Sequence, residues 1–173
     1  MAAAPLRAST SSVVETQELA TALAQLSRAG DVLVLVGEMG AGKTAFAQGF
    51  ARGLGITEQV TSPTFTIVRE YGGGRLAMHH LDVYRLDQMR EVSELGVAEM
   101  LDERAVMLVE WGDAVLPVLG DQYLEVRIGF GDHDDDRDLE LSCKGNGWQA
   151  RHRAIAEALA RWTPSDGEGE PSC

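Results

Sequence analysis

Cysteine is scarce in this chain. Only Cys143 and Cys173 carry thiols among 173 residues, and Cys173 ends a polar tail. So few cannot form the disulfide framework of a small secreted domain, so reduced thiols in a cytoplasmic protein are expected. Positive charge is scarce too. Lys and Arg total 15 against 27 Asp and Glu, a formal net charge of −12. That balance excludes a protein whose main task is to grip nucleic acid or an anionic membrane by electrostatics. Any RNA in its pathway is expected to be held by another subunit. Long apolar runs are missing: none approaches the ~20 residues of a membrane span. Met1–Ser12 is rich in Ala and Ser, has Arg7 as its charge, and lacks a signal-peptide core. No internal repeat is visible. Residues 1–13 are read as a frayed, disordered N-terminus and 163–173 as a disordered Pro/Gly/Ser/Glu tail. Residues 14–162 remain as one domain, and with 45% hydrophobic residues the chain can bury a sizeable core.

What is present is a phosphate-binding loop. Gly37-Glu38-Met39-Gly40-Ala41-Gly42-Lys43-Thr44 is a complete G-x-x-x-x-G-K-T pattern. A buried-strand run, Val32-Leu33-Val34-Leu35-Val36, leads in, and a helix-prone run from Thr44 through Ala51 leads out. Glycines let the backbone curl until successive N–H groups face phosphate oxygens, and the helix adds the positive end of its dipole. Lys43 supplies a point charge for the β- and γ-phosphates, and the Thr44 hydroxyl is a hard-oxygen ligand for Mg²⁺. A Gly-rich turn with a structural lysine explains neither the threonine nor the strand.

Other segments supply acids. Val106–Val109 predicts a second buried strand that ends in Glu110, the position from which such a site draws its metal-side carboxylate. Asp113, three residues on, is the rival. Asp82 follows His79-His80-Leu81 at the end of a strand; it suits a water-orienting or Mg²⁺-side role and equally a turn. His79 and His80 are adjacent, so a strand sends them to opposite faces and they cannot chelate one ion; one structural and one exposed histidine are expected. Trp111 suits either a core position or a cover over the site. Thr61-Ser62-Pro63-Thr64 offers loop hydroxyls of the kind that meet a γ-phosphate, or an ordinary turn locked by proline. Gly131–Asp136 predicts a polar hairpin loop, with neither the glycine nor the glutamate spacing of a calcium loop.

The remaining periodicities are simpler. Glu15–Arg28 is helical with Thr16 as its expected N-cap. The second half of Val60–Tyr71 and Arg75–Leu81 form a hairpin around Gly72-Gly73-Gly74. Glu91–Leu101 is helical. Tyr123–Phe130 pairs with Leu139–Ser142, and Trp148–Trp162 is a last helix.

Together these pieces resemble the TsaE family, also called YjeE, small bacterial ATPases of tRNA threonylcarbamoyladenosine biosynthesis. The resemblance is carried by Gly37–Thr44, Thr61-Ser62-Pro63-Thr64-Phe65, His80-Leu81-Asp82-Val83-Tyr84-Arg85-Leu86, Glu94-Leu95-Gly96 and Leu108-Val109-Glu110-Trp111. It covers about residues 14 to 162. It implies an α/β fold, a P-loop NTPase-like three-layer sandwich with a mostly parallel central sheet and antiparallel strands. It implies ATP on Glu38, Met39, Gly40, Ala41, Gly42, Lys43, Thr44 and Ala45. Thr16, beside Glu15, would lie near the adenine, and Thr44 and Glu110 would hold Mg²⁺. Lys43, Asp82 and Glu110 would be catalytic, with either acid orienting the water. Thr61–Thr64 would be a switch-like loop and Trp111 would lie by the site. The implied partners are TsaD and TsaB. TsaD transfers a threonylcarbamoyl group to adenosine 37 of tRNA, so this chain would meet tRNA only through the complex and would touch no membrane. The alternative is a small-molecule kinase, but Arg69, Arg75, Arg85 and Arg90 are scattered and form no Arg-rich lid. Arg85 is a conceivable arginine finger that no motif compels. A nucleotide-gated module without hydrolysis would not need Thr44 and Glu110.

Overall fold

Val32–Val36 is apolar at every position, a pattern stable only where both faces of a strand are covered. In the structure, a computed structural model that describes residues 2–63, 68–82, 96, 99–100, 104–110 and 116–165, this run is β2 at the centre of a seven-stranded sheet. It lies between β5 (Ala105–Glu110) and β6 (Tyr123–Phe130), parallel to both. β4 (Ala77–Asp82) continues the parallel set beside β5. Antiparallel strands border it: β3 (Val68–Tyr71) next to β4, then β7 (Arg137–Lys144) and β1 (Leu6–Thr10) beyond β6. The order is β1-β7-β6-β2-β5-β4-β3, the mixed sheet of an α/β fold.

The N-terminus is a correction. Residues 6–10, expected to fray, pair with Arg137–Leu141 and bury Ala8 and Thr10. Small side chains gave this strand no hydrophobic alternation, and the backbone ladder to β7 decides its structure. The first helix, α1 (Val13–Leu26), starts earlier than expected and is capped by Ser12, not Thr16. The Ser12 hydroxyl accepts from the Glu15 N–H at 3.1 Å, and the Glu15 carboxylate reaches back to the Ser11 N–H at 2.8 Å. At the other end of the chain the single helix expected over Trp148–Trp162 is three pieces: α4 (Asn146–Gln149), α5 (His152–Ala158) and a 3₁₀ turn (Ala160–Trp162). The first break falls at Arg151. Its guanidinium holds Asp31 through two bonds of 2.6 and 2.8 Å and lies 3.8 Å over the Trp148 ring. The short α3 (Leu116–Leu119) precedes β6. Thr163 still closes the last turn through its N–H to Ala160, so the described end of the domain runs past 162.

One face of the sheet carries the larger core, in which Leu33, Leu35, Leu108 and Val126 meet Leu19 and Leu23 of α1, Phe46 and Phe50 of α2 (Lys43–Gly53) and Ile155 of α5. The opposite face carries a smaller cluster of Val32, Val34, Leu81, Met107, Val109 and Leu119. Helices α1 and α2 touch backbone to backbone. A Cβ on Gly49 would stand 2.2 Å from the Gln17 carbonyl oxygen, and one on Gly53 2.6 Å from that of Thr21. The Thr21 hydroxyl donates to the Gly49 carbonyl at 2.8 Å, closing the gap that the missing side chain leaves.

Outside the described residues lie Thr64 and Phe65, Asp82's neighbours Tyr84 and Arg85, Trp111, Asp113, all but Gly96, Glu99 and Met100 of the helix expected over Glu91–Leu101, and 166–173 of the tail.

Because the α1–α2 contact is backbone, the clash at Gly49 cannot be relieved by a rotamer change. Gly49→Ala is expected to destabilise the fold by about 1–3 kcal/mol or more, read from the urea midpoint at unchanged m-value. A loss under about 0.5 kcal/mol, the size of an ordinary surface substitution, would show that the helices part freely.

Candidate nucleotide-binding site

β2, β4 and β5 run parallel, so their carboxyl ends share one edge of the sheet, where ligands of open α/β sheets bind. β2 delivers the loop 37–42 to the start of α2. Gly42 adopts φ 110° and ψ 20°, a left-handed conformation that suits glycine, and its carbonyl accepts the Phe46 N–H at 2.9 Å. Ala41 is fully buried and gives its N–H to Glu38 at 3.0 Å. Glu38, Met39 and Gly40 are exposed, and Thr44 and Ala45 are half-buried. Lys43 is only 8% exposed, and its ammonium donates to the Gly37 and Glu38 carbonyls, folded over the first residues of its own loop.

The two acids arrive from neighbouring strands. Asp82 and Glu110 are the last residues of β4 and β5 and stand opposite each other in register. The two-residue period of a strand puts His80 on the same face as Asp82, next to Glu110. This is the face of α2, because Met78, Val106 and Leu108, in step with these residues, belong to the larger core. His80 Nε2 and Glu110 Oε1 are 2.9 Å apart and buried. His79 is buried as well, at 4%, which corrects the expectation of an exposed histidine: β4 lies inside the sheet between β3 and β5, and both alternating sets of its side chains from Met78 to Asp82 are buried.

Burial sets the electrostatics here. Desolvation holds the Asp82 carboxyl above the usual carboxylate range and repulsion from Glu110 adds to it, while His80 and Lys43 pull the other way. Desolvation also lowers the Lys43 ammonium from its ordinary value, opposed by Glu110 and Asp82. Asp82 Oδ1 is buried without a hydrogen bond, an acceptor waiting for a donor or a cation. The donors fit Mg²⁺: the Thr44 hydroxyl and the two carboxylates are hard oxygens. No group of three or more His, Cys, Asp or Glu converges tightly enough among the described residues to cage a metal. Mg²⁺ does not require one, since it keeps several waters and takes one or two carboxylates plus substrate phosphates.

The other expected residues have bonds of their own. The Thr16 hydroxyl pairs with Thr10 at 2.7 Å and with the Ser12 carbonyl at 3.3 Å, so its polar bonds run to the N-terminal segment. Thr61 is held by Arg69 at 2.6 Å and by the Tyr71 hydroxyl, tying the start of the switch-like loop to β3. An open cleft of about 1020 Å³ lies beside the loop between Glu38, Arg127 and Phe130. None of Lys43, Asp82 and Glu110 lines it.

One residue was missed from the sequence. Arg137, at the start of β7, reaches the loop with Nε 2.8 Å from the Ala41 carbonyl and Nη2 3.4 Å from that of Gly40. Ninety-six positions separate it from Ala41, and no motif spacing links them. The only local signal was a lone arginine closing the Asp-rich hairpin.

The raised pKa of Asp82 gives a signed expectation. A carboxyl whose folded pKa lies above its unfolded value contributes stability below the unfolded pKa, and this is lost as pH rises through the folded pKa. Asp82→Asn is therefore expected to stabilise the nucleotide-free protein at neutral pH, with the gain shrinking as pH falls toward the ordinary carboxylate range. Thermal melts of both proteins across that range check it; a variant less stable at pH 7 contradicts it.

Comparison with known proteins agrees with this fold. The family model described as threonylcarbamoyl adenosine biosynthesis protein TsaE matches residues 10–139. The chain is similar to tRNA threonylcarbamoyladenosine biosynthesis protein TsaE of Bacillus subtilis, 42% identical over 147 residues, covering 85% of this chain and 89% of that one. It is similar to the protein of the same name from Treponema pallidum, 37% identical over 123 residues, with 71% and 90% covered. The crystal structure of Bacillus subtilis YdiB superposes with a TM-score of 0.75 at 37% identity, covering 93% of this chain and 97% of that one. A strand-tip acid pair, a complete phosphate loop and relatives matched along most of their length lead to one conclusion: the chain belongs to the TsaE family.

Proposed function

We propose that this chain is a cytoplasmic, Mg²⁺-dependent ATPase that supports formation of threonylcarbamoyladenosine at position 37 of tRNA by driving the cycle of a TsaD–TsaB complex. The observation that carries the reading is the pairing of Asp82 with Glu110 at the strand edge, electrostatically coupled to Lys43 of the phosphate loop. The names of its relatives place them in the same biosynthesis.

The residues divide the work. The backbone of Gly40–Thr44 and the start of α2 hold the phosphates through N–H groups and the helix dipole. Lys43 exchanges its loop carbonyls for the β- and γ-phosphates and neutralises charge developing on the γ-phosphoryl. Thr44 and Glu110 would hold Mg²⁺, which when bound screens the phosphate charge as a Lewis acid. His80 holds one oxygen of Glu110 and fixes its carboxylate. Asp82 or Glu110 orients the water that attacks in line. The charge of −12 suits a subunit that leaves tRNA to its partners.

Phosphate release measured with and without TsaD and TsaB tests the proposal. Slow turnover alone and faster turnover with partners are expected, because a finger supplied in trans can add about 10³–10⁵ in rate. Glu110→Ala is expected to lower kcat by on the order of a hundredfold or more, a loss typical of removing one preorganised charge-stabilising group. Equal rates with and without partners would sink the partner-driven cycle, and a phosphorylated small molecule in place of free phosphate would make the protein a kinase.

A further inference from the structure

We propose that Arg137 is the positioning residue of the phosphate loop, holding the Ala41–Gly42 peptide in its phosphate-binding orientation before nucleotide arrives. The proposal rests on reading residues 37–44 as a nucleotide loop. In a planar trans peptide the C=O and the following N–H point in opposite directions. Arg137 Nε holds the Ala41 carbonyl at 2.8 Å, so the Gly42 N–H is turned away from the guanidinium. Gly42 cannot fix that orientation by itself, since at φ 110° a glycine has no side chain to restrict it. Nη2 adds a longer contact to the Gly40 carbonyl, at 3.4 Å.

The anchor of the clamp lies in the β6–β7 hairpin. Arg137 Nη1 donates to the carbonyls of Asp134 and Asp136, each at 2.7 Å. The guanidinium carbon lies 4.9 Å from the centre of the Phe130 ring, which accounts for an aromatic left 52% exposed at the end of β6. A planar fork with several donors bonds both elements at once; a lysine ammonium lacks that geometry. The fork also sets a permanent positive charge behind the loop, independent of Lys43. The Asp-rich hairpin thus supports the loop through its backbone carbonyls.

Arg137→Lys and Arg137→Ala test this, with two readouts on each. Amide hydrogen exchange in the nucleotide-free protein follows the Ala41 N–H, which is bonded to Glu38; Val34 of β2 serves as the control for an intact fold. Calorimetric titration then compares ADP with ATP. Expected are exchange at Ala41 at least roughly tenfold faster in both variants with Val34 unchanged, and a loss of affinity of roughly ten- to hundredfold, the same for ADP and ATP. Unchanged exchange at Ala41 in Arg137→Lys would overturn the proposal. So would a loss confined to ATP, which would make Arg137 a contact of the γ-phosphate. A parent protein that binds neither nucleotide would overturn the reading of the loop, and the exchange arm would still decide the role of Arg137.

Discussion

Asp82 and Glu110 stand side by side under cover, and their mutual repulsion has to be balanced by groups around them. Their backbones cannot move apart, because each strand end is fixed by the hydrogen-bond ladder beneath it. The surroundings answer that demand. Lys43 comes down from α2, His80 comes up from within β4, and the strands below are sealed by Leu108 and Val109 on their two faces. Even with these neighbours the balance is incomplete: the Asp82 carboxyl is held above the usual carboxylate range, and its Oδ1 is buried without a hydrogen bond.

The scarcity of positive charge takes on a different meaning in the fold. Several arginines are internal staples between distant parts of the chain. Arg75 leaves the β3–β4 hairpin and bonds the carbonyls of Ala24 and Ser27 at the end of α1, a helix with no basic residue in its last turn. Arg151 ties the C-terminal helices to Asp31, just before β2. Arg137 ties the last hairpin to the phosphate loop. In each case a planar guanidinium reaches backbone oxygens or a carboxylate that helices and strands leave unsatisfied. These three cations are therefore engaged in joining distant parts of the chain.

How much was legible from the sequence follows from the range of each signal. The loop, its strand and its helix were readable because the motif is continuous, and Glu110 because an apolar run stops at it. The hairpin around Gly72–Gly74 was readable from alternation and a glycine turn. β1 was not, because alanine and serine carry no alternation and its structure comes from pairing with β7. The N-cap was misplaced by four residues because the Ser12 hydroxyl on the Glu15 N–H, backed by the Glu15 carboxylate on the Ser11 N–H, outcompetes a threonine alone. The break at Arg151 and the reach of Arg137 depend on partners about a hundred positions away, and no local pattern reports such distances.

The β4–β5 register also bears on how such a site can change over generations. His80 and Asp82 are two apart on one strand, and Glu110 faces Asp82 across the ladder. The site is therefore defined by parity. One residue inserted or deleted within either strand would turn its acid to the opposite face, among Leu81 and Val109, and bring an apolar side chain to the nucleotide edge. Substitutions can tune this chemistry in small steps, but length changes in β4 or β5 act as a switch.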